Sequence, residues 1–557
     1  MVTGLFSNLT QRQQIHFNPW IAASLFLSLL FLGPIFAVFL AAFGDSGGLW
    51  SHLFQTVLPR YVTNTLLLML GVAIVSLVFG VSSAWLVVRY SFFGRPLLQW
   101  LLLLPAAVPA YLIAYTYTDF LEYAGPVQKM LRVFFGWQSA REYWFPEIRS
   151  MGGAMMIMGS VLYPYVYVMA RAAFFITPAS LYEVGMLSQR SLFWKIGLPL
   201  ARPAIAAGLA LVLMETISDF GTVEYFAIET LTLGIFNVWL GMNSLTAAAQ
   251  ISAFAFLFII ALLVLEKTAR SRRRFTDTTS KAVSLQPKTI TGRYAFLCFF
   301  VCSIPIIIGF LIPTAILLGF VFQGYSLELN DVVVDAAINS LTLATSVGLL
   351  VIASAVFLGF VAKFQESKGL EQISALASIG YAFPGTILAV GVVTAGGAVD
   401  GVMFKVLFNS FGITYEGWLT SGVILIVLAC VIRFQAIGYG AVTSGLEQLP
   451  PNLMDANRIL GRGFLHGMRR VIFPLTSLSL IAGGMLVFVD VMKELPITLL
   501  LRPFNYETLP TYVYQFAKDE LLEEAAFPAL IIIATGVLPI LFMNSVLNRI
   551  TWTRSQI

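Results

Sequence analysis

An all-α integral membrane protein with about twelve transmembrane helices is the fold this sequence predicts, on three observations. The chain has 557 residues, of which 58% are hydrophobic and only 11% charged, where a soluble protein carries about 25% charge. Its apolar residues gather into runs close to the roughly 20 residues that cross a bilayer. The loops between those runs hold basic residues very unevenly. Helices follow because a lone helix satisfies its own backbone hydrogen bonds in lipid, which an open strand cannot do.

The expected spans lie near 19–43, 64–88, 97–119, 152–174, 200–219, 248–266, 295–321, 339–362, 374–398, 419–438, 475–493 and 526–547. The first is too long for a secretory signal and has no small-residue cleavage site, so it reads as a retained span. The fifth is the weakest, opened by Arg202 and Pro203 and closed by Glu215 and Asp219. With twelve spans both termini share one side, and that side collects 24 of the 33 Lys and Arg, Arg433 among them. The excess of positive charge places both termini in the cytoplasm. Cys298, Cys302 and Cys430 all fall within spans without CxxC spacing and are expected to be packing residues.

The chain is organised as a tandem repeat. Asn64-Thr65-Leu66 returns as Asn339-Ser340-Leu341, and Pro109 as Pro384, each 275 residues later. Pro199 with Pro474, Glu215 with Asp490 and Asp219 with Glu494 keep the same offset. Two parallel six-span halves, 1–265 and 295–557, are expected around a pseudo-two-fold axis along the membrane normal. The segment 266–294, with Arg270, Arg272, Arg273 and Arg274, reads as a basic cytoplasmic linker against anionic lipid.

Between the tenth and eleventh runs lies a mixed segment in which Arg458, Arg462, His466, Arg469 and Arg470 alternate with Ile459, Leu460, Phe464, Leu465 and Met468. Such a stretch between two spans is a surface for a partner rather than for lipid. Asp455-Ala456, then Gly461, then Val471 and Phe473-Pro474, resembles the EAA loop of ABC importer permeases, and the chain is similar to type I importers with two fused permease halves. The resemblance implies a short helix docking into a cytoplasmic ATPase. The first half carries a shorter version, Glu183, Gly185 and Pro199, with 16 residues from acid to proline against 19 in the second and Gln189 where glycine is expected.

The four carboxylates Glu215, Asp219, Asp490 and Glu494 are the candidate lining of a translocation path. Four-residue spacing puts each pair on one helix face, and ionisable groups in spans usually face a cavity or a partner. Their alternative role is interfacial or salt-bridged structure. Oxygen ligands there would suit a hard cation. Met214-Glu215-Thr216-Ile217-Ser218-Asp219-Phe220-Gly221, Asp490-Val491-Met492-Lys493-Glu494-Leu495-Pro496 and the stretch Lys518-Asp519-Glu520 resemble signatures of ferric-iron importer permeases. That resemblance implies an inner-membrane location, two copies of a cytoplasmic ABC ATPase and a periplasmic iron-binding protein. Thiamine importer permeases share the fused layout and keep the substrate open.

No G-x-x-x-x-G-K-[ST] occurs, so ATP hydrolysis is expected from a partner subunit, with no catalytic residue in this chain. Neither a metal site with a full ligand set nor a bound cofactor is expected, and the charge of +5 reflects topology rather than nucleic acid. An ion-coupled secondary transporter using the same four carboxylates is the reading from another class. It would have no use for the 455–474 segment.

Overall fold

The computed structural model describes residues 19–187, 191–271, 286–324, 330–364, 368–412, 414, 417–447, 449–450, 453, 459, 461 and 464–554. Among them, ten helices are long and apolar enough to cross a membrane, and a bent pair, Arg95–Ala107 with Ala110–Phe135, makes eleven. The helix Leu245–Ser271 occupies the place of the remaining expected span. The only strands among the described residues are Tyr90–Ser91 and Lys288–Thr289, paired in parallel. The chain is an all-α, multi-pass membrane protein.

In order, the spans are Pro19–Ala42, Leu58–Arg89, the bent pair, Met151–Ile176, Leu198–Ser218, Leu245–Ser271, Arg293–Phe322, Asp331–Phe364, Gly385–Phe411, Ile424–Glu447, Phe473–Met492 and Ala526–Arg554. Several span limits shift by a few residues, and two runs are broken for one physical reason. The third and ninth runs do not continue as single helices, because Pro109 and Pro384 have no N–H to donate and sit in extended backbone. Each is preceded by a four-residue 3-10 turn, Leu104–Ala107 or Ile379–Ala382. In the third run the two pieces meet at 91°.

Matching elements recur 275 residues apart. One π turn, Phe193–Gly197, leads into Leu198–Ser218, and a second, Met468–Ile472, leads into Phe473–Met492. Both helices stop just before a short one, Gly221–Tyr225 or Pro496–Leu501. The Asn64 side chain donates to Glu229 O at 3.0 Å, as Asn339 does to Glu507 O at 2.9 Å. Beside them Thr65 Oγ1 accepts from Leu231 N, and Ser340 Oγ accepts from Leu509 N. The Asn-Thr and Asn-Ser pairs of the sequence thus tether equivalent loops to equivalent spans.

Each leading span packs away from its own neighbours in sequence. Pro19–Ala42 lies against Gly385–Phe411, and Arg293–Phe322 runs past the first-half 3-10 turn and fourth span. Tyr117 closes the second contact by donating to Ile308 O at 2.8 Å. Glycines permit the approach: a Cβ on Gly391 would stand 2.4 Å from Pro34 O, and one on Gly309 would stand 2.3 Å from Ser160 O.

Gly391→Val and Gly309→Val are therefore each expected to destabilise the protein by about 1–3 kcal/mol, as overpacking does. Gly397→Val, with nothing within 4 Å of the added Cβ, should leave stability unchanged. Thermal unfolding in detergent measures both, and equal melting of all three variants would contradict the crossed packing.

Candidate functional site: a charged cavity at four helix interruptions

A cavity of about 100 Å³ lies where the helices are interrupted. Its wall includes Val108, Pro109 and Ala110 at one break, Ser218 to Gly221 at a second, Lys493 to Pro496 at a third, and Tyr381 from the 3-10 turn at the fourth. Glu215, Asp219, Asp490 and Glu494 all line it, so the structure brings together the four carboxylates singled out in the sequence.

Their placement keeps the helix-face expectation for one pair and corrects it for the other. Asp219 closes Leu198–Ser218 with its N–H still bonded to Glu215 O at 3.0 Å, one helical turn away, whereas Phe473–Met492 ends two residues before Glu494, whose N–H turns back to Val491 O. The chain turns at these points, and the second acid of each pair caps the short helix beyond the turn. Asp219 Oδ1 accepts from Thr222 N at 3.0 Å and Val223 N at 3.3 Å, while Oδ2 accepts from the Thr222 hydroxyl. Glu494 Oε1 accepts from Ile497 N at 3.1 Å. A carboxylate at a helix N-terminus satisfies N–H groups the interruption leaves open.

Arg433 is the second correction. The sequence reading counted it with the cytoplasmic basic residues although 433 falls inside the expected span 419–438; it lies in Ile424–Glu447, only 6% exposed, with Nη1 3.1 Å from Glu494 Oε1. An arginine here is tolerated because its charge is paired, and its removal from the cytoplasmic tally leaves the positive excess intact. Gly385 makes room for it, since a Cβ there would be 2.4 Å from Arg433 Nη1. Lys493 pairs with Asp490 at 2.8 Å. Tyr111, Tyr165 and Tyr381 complete the polar wall. These tyrosines and Arg433 were missed in the sequence, although polar side chains amid apolar runs were a usable signal.

The coupling residues lie at the far end of the fifth and eleventh spans. Glu183 is exposed on Ala179–Leu187, which also contains Gly185. Buried Tyr182 anchors that helix on Trp85, which packs Phe174 and Phe193 as well. Pro199 opens the fifth span and Pro474 the eleventh, where Pro474 is exposed. Gly461 is exposed with φ +70, a left-handed conformation that favours glycine. Asp455 and Ala456 lie outside the described residues, as do Arg458 and Arg462. Ile459, Leu465, Leu187 and Trp194 present exposed apolar surface beside these positions.

At the opposite end, ion pairs join the two parts of the chain. Lys518 Nζ is 3.2 Å from Glu224 Oε1, and Arg149 lies 2.7 Å from Glu122 and 3.4 Å from Glu520. Burial raises the Tyr514 hydroxyl above its usual range, and Glu224 beside it pushes in the same direction.

Arg433→Met should cost about 3–5 kcal/mol by leaving Glu494 buried without its cation. Arg433→Met combined with Glu494→Gln should recover most of that loss, because an amide keeps the cap without the charge. Unfolding of the two variants tests this, and additive losses would mean the pair is not coupled.

No protein-family model matches the chain. It is 25% identical over 501 residues to an Fe(3+)-transport system permease protein, FbpB 2 of Haemophilus influenzae, covering 88% of this chain and 91% of that one. It is 21% identical to the ferric transport system permease protein FbpB of Actinobacillus pleuropneumoniae, over 100% of this chain and 82% of the relative. A protein named as a probable molybdenum ABC transporter permease of Haloferax volcanii is 28% identical, and 76% of it aligns with only 39% of this chain.

Proposed function

We propose that this chain, a homologue of ferric transport permeases over most of its length, is the membrane-spanning subunit of a binding-protein-dependent ABC importer that carries iron(III) across the inner membrane. The observation that carries the reading is the full-length similarity to proteins named for ferric transport. The recurrence of elements at an offset of 275 supports a division into the halves 1–265 and 295–557 with 266–294 as linker. The alignment of most of a shorter permease with two fifths of the chain agrees with it.

The mechanism in this reading is alternating access. Two copies of a separate cytoplasmic ATPase bind the segments around Glu183, Gly185 and Pro199 and around Asp455, Ala456, Gly461 and Pro474. Both termini are then cytoplasmic, and the Glu224–Lys518 and Arg149–Glu520 pairs lie toward the periplasm. Closure of the ATPase pair moves the coupling segments. The fifth span, 21 residues or about 30 Å at 1.5 Å per residue, carries that motion to the cavity. The eleventh span does the same for the other half. Opening outward requires the two periplasmic ion pairs to part while a loaded iron-binding protein is docked, and Glu215, Asp219, Asp490 and Glu494 line the path then exposed.

In cells lacking the chain, restoring it should restore uptake of radiolabelled iron(III) and not of thiamine; thiamine uptake alone would overturn the iron reading. Gly461→Glu or Asp455→Lys should abolish uptake and release the ATPase in co-purification, with normal membrane insertion. Normal uptake and retained ATPase in both variants would reject the coupling role.

A further inference from the structure

The cavity wall is chemically lopsided although its frame repeats. At the offset of 275, Lys493 stands where the first part of the chain has Ser218, and Tyr381 where it has Ala106. Lys493 neutralises Asp490 at 2.8 Å. Arg433 and Ile497 N occupy Glu494, and Asp219 is occupied by Thr222 and Val223. Glu215 is the remaining carboxylate of the wall, and among the described residues no basic side chain pairs with it. Tyr381 lies against both Glu215 and Tyr165. Tyr111, only 5% exposed and on the same wall, has a hydroxyl with no hydrogen-bond partner among the described residues.

We propose that Glu215 and the phenol oxygens of Tyr381, Tyr165 and Tyr111 form a single off-axis stop for a hard trivalent cation in transit. The donor set is oxygen from carboxylate and phenol, and the wall contains neither His nor Cys, which favours hard over soft ions. Glu215 with neutral phenols attracts such an ion, and Arg433 and Lys493 on the same wall, both acting on Glu215, oppose tight binding, as conduction requires, since a stop must be weak enough to leave. Lys493 then has a definite role, because by occupying Asp490 it prevents a second carboxylate from joining Glu215 and trapping the ion. That the cargo is iron(III) rests on the permease reading above; the ligand set does not.

The test uses the purified full chain in detergent and terbium(III), a hard trivalent ion whose emission is sensitised by nearby tyrosine. The wild-type chain is expected to give saturable emission that gallium(III) displaces. Glu215→Gln and Tyr381→Phe should each weaken binding by about 10-fold or more, and Lys493→Ser should tighten it by a similar factor while slowing iron uptake. A rim control, Glu523→Gln with Glu524→Gln, should bind like the wild type. Wild-type affinity in Glu215→Gln overturns the site. If that variant does not fold, unchanged affinity in both Tyr381→Phe and Lys493→Ser overturns it instead. Glu215-dependent terbium binding without any iron uptake would reject iron as cargo and leave the site standing. Iron uptake with Glu215-independent binding would do the reverse.

Discussion

Interrupting a helix within a bilayer frees N–H and C=O groups that lipid cannot satisfy, so interruptions survive only where protein covers them. This chain places four of them around one cavity: at Pro109, at Pro384, after Ser218 and after Met492. Much of the local chemistry derives from that. Half-buried Asp219 and buried Glu494 sit where they do because the short helices that resume the chain need acceptors for their first N–H groups. Arg433 is buried because Glu494 is, and Gly385 lacks a side chain because Arg433 and Glu494 fill that space. Each step is a local solution to the previous one, starting from a broken backbone.

The repeat distributes these solutions unequally. Backbone features recur with little change: the 3-10 turns, the prolines that come after them, and the π turns ahead of the fifth and eleventh spans. Side chains at the cavity do not. The second part of the chain contributes both cations, Arg433 and Lys493, and the first contributes Glu215 and Asp219, neither of which has an ion pair among the described residues. Repeated elements within a single chain can diverge in this way, whereas two copies of one identical subunit would have to place the same residue on both sides of their axis.

The crossed packing of the leading spans binds the molecule into one unit. Because Pro19–Ala42 lies on Gly385–Phe411 and Arg293–Phe322 lies on the first-half helices, neither set of spans has a complete surface alone. The close contacts at Gly391 and Gly309 show how tightly these helices approach. In lipid such packing comes from small residues and van der Waals contact rather than from the hydrophobic effect.

Apolar run length alone determined the number and order of the spans, because bilayer thickness imposes a length that composition reveals directly. The repeat was legible for a similar reason: Asn64 and Asn339, and Pro109 and Pro384, answer to local backbone needs that recur with the fold. Asp219 and Glu494 were picked out as carboxylates facing a path or an interface, but the shared helical face holds only for Glu215 and Asp219, since sequence spacing assumes a helix that continues and the eleventh stops at Met492. Where it stops depends on the short helices packed beyond it. Arg433 was legible only as a charge and was counted on the cytoplasmic side, because its partner Glu494 is 61 residues away and meets it only through the packing of the tenth and eleventh spans. The roles of Lys493 and Tyr381 were decided in the same way. Span length and turn chemistry are local and can be read along the chain; which carboxylates gain a cation depends on contacts that only the assembled helices make.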